Sequence, residues 1–312
     1  YSGNKNGQGG MAMTEDRYKE ACALLPEALR KVALGVDPPR QARTEELRLR
    51  VGRPLALTLP EGEVSLPGPA VDSSDLTQVL DKATAFSRYA AGETISQGFV
   101  TAEGGFRIGL CGTAIPEGGE NRGLRDITSA AIRIPHACPG VAEPLLPELL
   151  ERGRVRSTLI LSPPGGGKTT LLRDLVRLLS QGGALAGPMR VALVDERGEL
   201  AAVCRGKPQL NVGPSTDILD GCPKAAAVPM LLRAMNPQVI ALDEIALPAD
   251  VGAVLSAAGC GAAILATAHG ASVAELRRRT VLRELLESGV FRRAVVIEGR
   301  GAERCCRVEE LL

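Results

Sequence analysis

Four apolar runs, each closed by a polar cluster, constrain this chain more than anything else in it. Leu159-Ile160-Leu161 leads into Ser162, and Val191-Ala192-Leu193-Val194 into Asp195-Glu196-Arg197. Val239-Ile240-Ala241-Leu242 leads into Asp243-Glu244, and Gly261 to Ala266 into Thr267-Ala268-His269-Gly270. Apolar runs with little alternation read as strands buried on both faces. With helix-like segments between them they imply a parallel sheet covered on both sides. Ligands of such sheets sit at the carboxyl ends of the strands. Every one of these polar clusters falls at such an end.

The first run opens the most specific motif. After it come Ser162, Pro163, Pro164, Gly165, Gly166, Gly167, Lys168, Thr169 and Thr170, and a helix-like segment from Leu171 to Leu179. Strand, glycine-rich turn and helix form the context of a phosphate-binding loop, here the candidate ATP site. Glycines let backbone N–H groups turn inward around phosphate oxygens. Lys168 would bring its charge to the β- and γ-phosphates, and the Thr169 hydroxyl would ligate Mg²⁺. Ser162 stands where the usual pattern has its first glycine.

Four apolar residues and Asp243-Glu244, in this rhythm, match the acidic strand of the same machinery. Asp243 would hold the Mg²⁺, directly or through water, and Glu244 would polarise a water for in-line attack. Asp195 and Glu196 have several readings. They could bind a water near the metal, orient the nucleophile, act as the base, or pair with Arg197 or Arg205. Thr267 and His269 are placed to sense the γ-phosphate and to pass its loss to the next element. The catalytic candidates are thus Glu244, Lys168, Glu196 and His269, and the metal candidates Thr169 and Asp243.

The first half reads as α+β and mostly antiparallel. A helix is expected from Thr14 to Leu34, ended by Gly35 and Pro38-Pro39. A hairpin follows over Glu46–Leu59, then a Pro/Gly-rich connection from Pro60 to Ala70. A helix from Asp72 to Ala91 comes next, and a second hairpin around Gly104-Gly105. Pro116 to Arg125 reads as a loop, and Ile127 to Ile134 as a short strand. No nucleophile or metal cluster stands out, which points to recognition or assembly. Tyr1 to Gly10 is polar and Gly/Asn-rich, a linker or appended remnant before Met11. The expected division is 1–10 linker, 11–138 N-terminal α+β domain and 139–312 ATPase domain.

In the second half, Pro139 to Leu150 reads as a helix, Pro208 to Lys224 as a long polar loop and Ser272 to Leu286 as one helix. That last helix carries the Arg277-Arg278-Arg279 run, a solvated face or a contact to a neighbouring subunit.

Composition limits the alternatives. A net charge of +1 gives no global field for nucleic acid, and 2% aromatics with no Trp give no stacking platform. Eight cysteines without a C-x-x-C pair do not suggest zinc and are read as free thiols of a reducing cytosol. No apolar run approaches a membrane span, and the expected setting is cytoplasmic without membrane insertion.

Beyond the common motifs, the chain from about Glu45 onward resembles the stage III sporulation protein AA family. The resemblance rests on Glu46-Leu47-Arg48-Leu49-Arg50-Val51-Gly52-Arg53-Pro54-Leu55, Gln97-Gly98-Phe99-Val100-Thr101 and Gly105-Phe106-Arg107-Ile108-Gly109-Leu110-Cys111-Gly112. It also rests on Val194-Asp195-Glu196-Arg197, Thr216 to Ala225, Asp243-Glu244-Ile245 and Thr267-Ala268-His269-Gly270. It implies a RecA-like domain akin to the ATPases of type II and type IV secretion and pilus assembly. Those are hexameric rings whose acidic and His boxes match Asp195-Glu196 and His269. It further implies a cytoplasmic motor on the mother-cell side of a transenvelope channel, partnered by membrane proteins of the same operon. Ser162, Gly198 and Ala246 depart from the usual pattern of glycine, Ser and Gly. In such rings an arginine from one subunit often reaches the neighbour's γ-phosphate; Arg107, Arg122, Arg125 and Arg133 are candidates, each equally a surface charge or an internal ion pair. Two rival classes remain. One is a nucleic-acid-acting ATPase, although the R-x-x-x-H pair of one such module is absent, Arg133 and His136 standing one residue too close. The other is a scaffold that binds ATP without turnover.

Overall fold

The computed structural model describes residues 17–85, 95–118, 120–135, 138–299 and 304–311. The expected linker, the start of the first helix, the far end of the Asp72–Ala91 helix and His136 lie outside them. The chain forms two compact units. One takes in Tyr1–Ala137 together with Ala202–Gln209; the other takes in Cys138–Ala201 and Leu210–Leu312.

The first unit has a six-stranded antiparallel sheet. Its strands are β1 (Glu46–Arg50), β2 (Pro54–Leu59), β3 (Gly62–Ala70), β4 (Phe99–Ala102), β5 (Phe106–Glu117) and β6 (Glu120–Arg133), in the order β3-β2-β1-β6-β5-β4. β1 alternates buried and half-buried residues, so Leu47 and Leu49 enter the core while Arg50 pairs with Glu63 outside. The stretch expected as a connection, Pro60 to Ala70, is largely strand β3. Pro67 and Pro69 are tolerated because the strand lies at the sheet edge, where a missing N–H breaks no ladder. The expected loop from Pro116 to Arg125 is the far end of the β5–β6 hairpin, reached through two register shifts.

Helices α1 (Glu27–Leu34), α2 (Pro38–Arg43) and α3 (Ser73–Ala83) accompany this sheet. The expected long first helix is interrupted: helical residues 17–23 end before Pro26, which caps α1. Pro38-Pro39 starts α2 rather than merely ending its predecessor. The Asp37 side chain accepts from Arg40 N–H, and the prolines occupy first-turn positions that need no N–H. Asp72 and Asp75 form a reciprocal capping box on α3. Gln209, from the 202–209 segment, accepts from Gly104 N–H at 2.8 Å within this unit.

The second unit is RecA-like. Its strands are β7 (Thr158–Ser162), β8 (Val191–Asp195), β9 (Thr216–Asp220), β10 (Val239–Leu242), β11 (Ala263–His269), β12 (Arg293–Glu298) and β13 (Cys305–Glu310). They run in the order β9-β8-β10-β11-β7-β12-β13, parallel except for the last pair. All residues of β7, β8 and β10 are buried, as a sheet covered on both faces requires. The expected 208–224 loop contains β9, a parallel edge strand whose half-exposed residues carry no continuous apolar signal. Pro144 and Pro147 reduce the expected Pro139–Leu150 helix to short turns. The expected Ser272–Leu286 helix is two pieces, Val273–Leu276 and Thr280–Glu287, and Arg277-Arg278-Arg279 forms the break.

Candidate active site

Sheet order decides which side chains meet. β10, β11 and β7 are adjacent, with Leu242 opposite Ala266 and His269 opposite Ser162. Residues just beyond Leu242, at the end of β11 and just beyond Ser162 therefore converge at one edge.

The loop after β7 turns into α4 (Lys168–Gln181) through Gly167, whose φ of +95° is left-handed and suits glycine. Gly166 is held to glycine for another reason. A Cβ there would lie 2.2 Å from Ser162 Oγ, so the serine at the first motif position occupies the space beside it. Ser162 Oγ donates to Pro163 O at 2.8 Å.

Lys168 is buried, and its Nζ donates to Ser162 O at 3.0 Å, Pro163 O at 3.2 Å and His269 Nδ1 at 3.0 Å. Burial pulls its pKa below the usual lysine value, while the Asp243 and Glu244 charges push it back up. Thr169 Oγ1 donates to Asp243 Oδ2 at 2.9 Å. A hydroxyl and a carboxylate side by side at a sheet edge are an oxygen donor set suited to a hard cation, and these residues fit Mg²⁺.

Thr267 pins the two acids. It is fully buried; its Oγ1 donates to Asp243 Oδ1 at 2.5 Å and accepts from Glu244 N–H at 2.8 Å. Glu244 is left-handed at φ +49°, a conformation a non-glycine residue keeps only when its surroundings impose it. Its carboxylate meets Arg197 Nη1 at 2.5 Å and His269 Nε2 at 3.3 Å. With Nδ1 facing the Lys168 ammonium and Nε2 facing a carboxylate, the partners select the Nε2–H tautomer. Lys168, His269, Glu244 and Arg197 thus form one chain of contacts. Arg279 Nη1 donates to His269 O at 2.7 Å; its position in the helix break is what brings it there, and sequence periodicity gave no sign of that break.

Asp195 and Glu196 are engaged elsewhere. The buried Asp195 carboxylate accepts from Glu199, Leu200 and Ala201 N–H at 2.7 to 3.1 Å and so shapes the loop after β8. Arg173 of α4 holds the same loop, donating to Leu200 O and Glu199 O at 2.7 Å each. Glu196 pairs with the buried Lys224, a partner at the start of α5 (Lys224–Met235) that the sequence reading missed. A lysine opening a helix, where the dipole disfavours cations, was the available signal.

The four arginine candidates of the first unit have local partners. Arg107 lies over the Phe99 ring at 4.1 Å; Arg122 meets Glu117 at 3.3 Å, Arg125 meets Asp126 at 4.0 Å and Arg133 meets Glu46 at 3.1 Å. Among the described residues no helix is long and apolar enough to cross a membrane.

Comparison with known proteins agrees with this architecture. The family model described as "Sporulation stage III, protein AA" matches residues 15–308. The Bacillus subtilis (strain 168) protein named Stage III sporulation protein AA is 39% identical over 274 residues, 88% of this chain and 89% of that protein. The X-ray structure of the Legionella pneumophila ATPase DotB superposes with a TM-score of 0.56 at 14% identity, covering 95% of this chain and 79% of DotB. The crystal structure of the pilus retraction motor PilT with bound ADP gives 0.58 at 16% identity, covering 85% and 78%. These two likenesses establish the shared fold.

Proposed function

The chain belongs to the Sporulation stage III, protein AA family, and from that premise we propose that it is an ATP-hydrolysing motor. The observation that carries the reading is the convergence of Lys168, Thr169, Asp243, Glu244 and His269 at one edge of the parallel sheet. Backbone N–H groups from Gly165 to Thr170 seat the phosphates, and Lys168 exchanges its loop carbonyls for phosphate oxygens. Thr169 and Asp243 would hold Mg²⁺, which would supply positive charge to offset that developing on the phosphoryl oxygens.

Glu244 activates the water. Two neighbours orient its carboxylate and Thr267 fixes its backbone, whereas Glu196 is taken up by Lys224. His269 touches both Lys168 and Glu244, so a change at the phosphate end of the site reaches the water-activating end through one imidazole. We read the chain as one subunit of a cytoplasmic homo-oligomer, a hexameric ring by family resemblance. It would work on the mother-cell side with membrane proteins of the stage III operon to assemble, or transport through, the channel into the forespore.

Phosphate release and size measured with and without ATP·Mg²⁺ test this reading. Lys168→Ala should abolish nucleotide binding. Glu244→Gln should keep binding but lower turnover about 10²- to 10⁴-fold, the range of a lost general base. A parent protein that neither assembles with nucleotide nor releases phosphate refutes the motor. Unchanged release by Glu244→Gln refutes the base, and turnover that rises on adding DNA favours the nucleic-acid-acting alternative.

A further inference from the structure

The C-terminal hairpin delivers one more cation to the phosphate loop. β12 lies beside the loop strand, with Val296 opposite Leu161, so its carboxyl end comes out next to Ser162. β13 returns antiparallel, with Cys305 opposite Glu298. Arg304, one residue before β13, is thereby set at the loop's edge of the sheet. Its position is close: a Cβ on Gly167 would lie 2.8 Å from Arg304 Nη1 and 3.1 Å from Cζ. The guanidinium covers the face of the loop's last glycine, at the N-terminus of the 14-residue helix α4.

Electrostatically this arrangement is incomplete. The N-terminus of α4 carries the positive end of the helix dipole and unpaired N–H groups. Lys168 adds an ammonium from the same turn. Asp243 is held by Thr169 and Thr267, and Glu244 by Arg197 and His269. Among the described residues Arg304 has no ion pair, whereas Arg307, three residues on, is bound by Glu298 and Glu309. Asp243 and Glu244 lie on the Lys168 side of the site; among the described residues no carboxylate bonds Arg304, so the guanidinium and the helix N-terminus together favour an anion between them. A polyphosphate is the anion whose charge and oxygen spacing match a guanidinium beside a phosphate loop.

We propose that Arg304 is a phosphate-binding residue of the nucleotide site, supplied by the same chain that supplies the loop. The assignment rests on the nucleotide reading above and adds a ligand contact to it. On binding, the guanidinium swings from the face of Gly167 onto the phosphate oxygens; a neutral side chain cannot replace it, and a lysine replaces it only in part.

Titration with fluorescent ADP and ATP analogues tests this on the full chain. Arg304→Gln should weaken both about 10- to 100-fold, the loss of one charge-assisted contact. Arg304→Lys should recover part of the loss, and Arg307→Gln should bind like the parent. The nucleotide-free melting temperature of Arg304→Gln should stay at the parent value, since among the described residues this exposed side chain has no ion pair to lose. Binding within about twofold of the parent overturns the assignment and leaves the ATPase reading intact. Tighter binding also overturns it, making Arg304 a competitor for the phosphate seat, as does a matching drop in nucleotide-free melting temperature. A parent protein that binds no nucleotide overturns both.

Discussion

Gly166→Ala and its rescue by Ser162→Gly probe the packing of the phosphate loop directly. Gly166 has no left-handed φ, so an alanine meets no backbone objection there. Its obstacle is steric. The new Cβ would lie 2.2 Å from Ser162 Oγ and 2.6 Å from Ser162 Cβ, about an ångström inside the roughly 3.5 Å of ordinary nonbonded contact. Overpacking of this kind costs about 1–3 kcal/mol. Ser162→Gly alone removes the hydrogen bond to Pro163 O and loosens the strand end, a loss of about 1–2 kcal/mol. In the double variant both offending atoms are gone, and only the Pro163 carbonyl at 3.1 Å stays tight. The double variant should therefore lose less than the sum of the two single losses, with a coupling of about 1–3 kcal/mol in its favour. Urea unfolding followed by far-ultraviolet circular dichroism measures the cycle, and nucleotide titration reads the same loop a second way. A Gly166→Ala protein as stable as the parent, or additive losses in the double variant, would refute the view that the serine occupies the glycine's space.

Thr267→Val removes the hydroxyl that holds Asp243 and the Glu244 N–H; we expect a loss of about 2–3 kcal/mol in stability and a fall in turnover larger than the change in KM. Unchanged phosphate-release kinetics would contradict the pinning role. Asp220 sits one strand over from Asp195, and partial loss of solvent plus that neighbouring charge lift its pKa from 3.8 to about 6. The folded state then binds this proton more readily than the unfolded chain, so its contribution to stability falls as pH rises from about 4 to about 6; a carboxyl NMR titration with a midpoint near 4 would contradict this. Lys224→Met strands Glu196 beside an apolar side chain, and the melting temperature should drop, with Glu196→Gln/Lys224→Met partly restoring it. Asp72→Ala removes the capping box of α3 and should cost about 1 kcal/mol, measured by urea unfolding.

The strands around the site were legible because burial on both faces leaves a sequence no room for polar residues, and the acids, threonines and His269 then stand out at the strand ends. β9 escaped notice because it lies at the sheet edge, where the exposed Asp217 and Asp220 interrupt the apolar signal. The same holds for β3, whose prolines read as a loop unless the edge position is known. Within the site, periodicity and motif spacing brought Lys168, Thr169, Asp243 and Glu244 to one edge. The attachment of Glu196 to Lys224, of Arg279 to His269 and of Arg304 to the Gly167 turn depends on side-chain reach across elements distant in sequence. No local pattern encodes that reach.

The excursion of Ala202–Gln209 into the first unit changes what a dissection of this protein can mean. The polypeptide passes between the two units at Ala137/Cys138, at Ala201/Ala202 and at Gln209/Leu210. A cut at the first passage would not yield an independent half. It would leave eight residues without their packing and Gln209 without the Gly104 amide. That frayed stretch begins one residue past the backbone amides that Asp195 gathers, so a shortened protein would carry its damage beside the strand end it was cut to isolate.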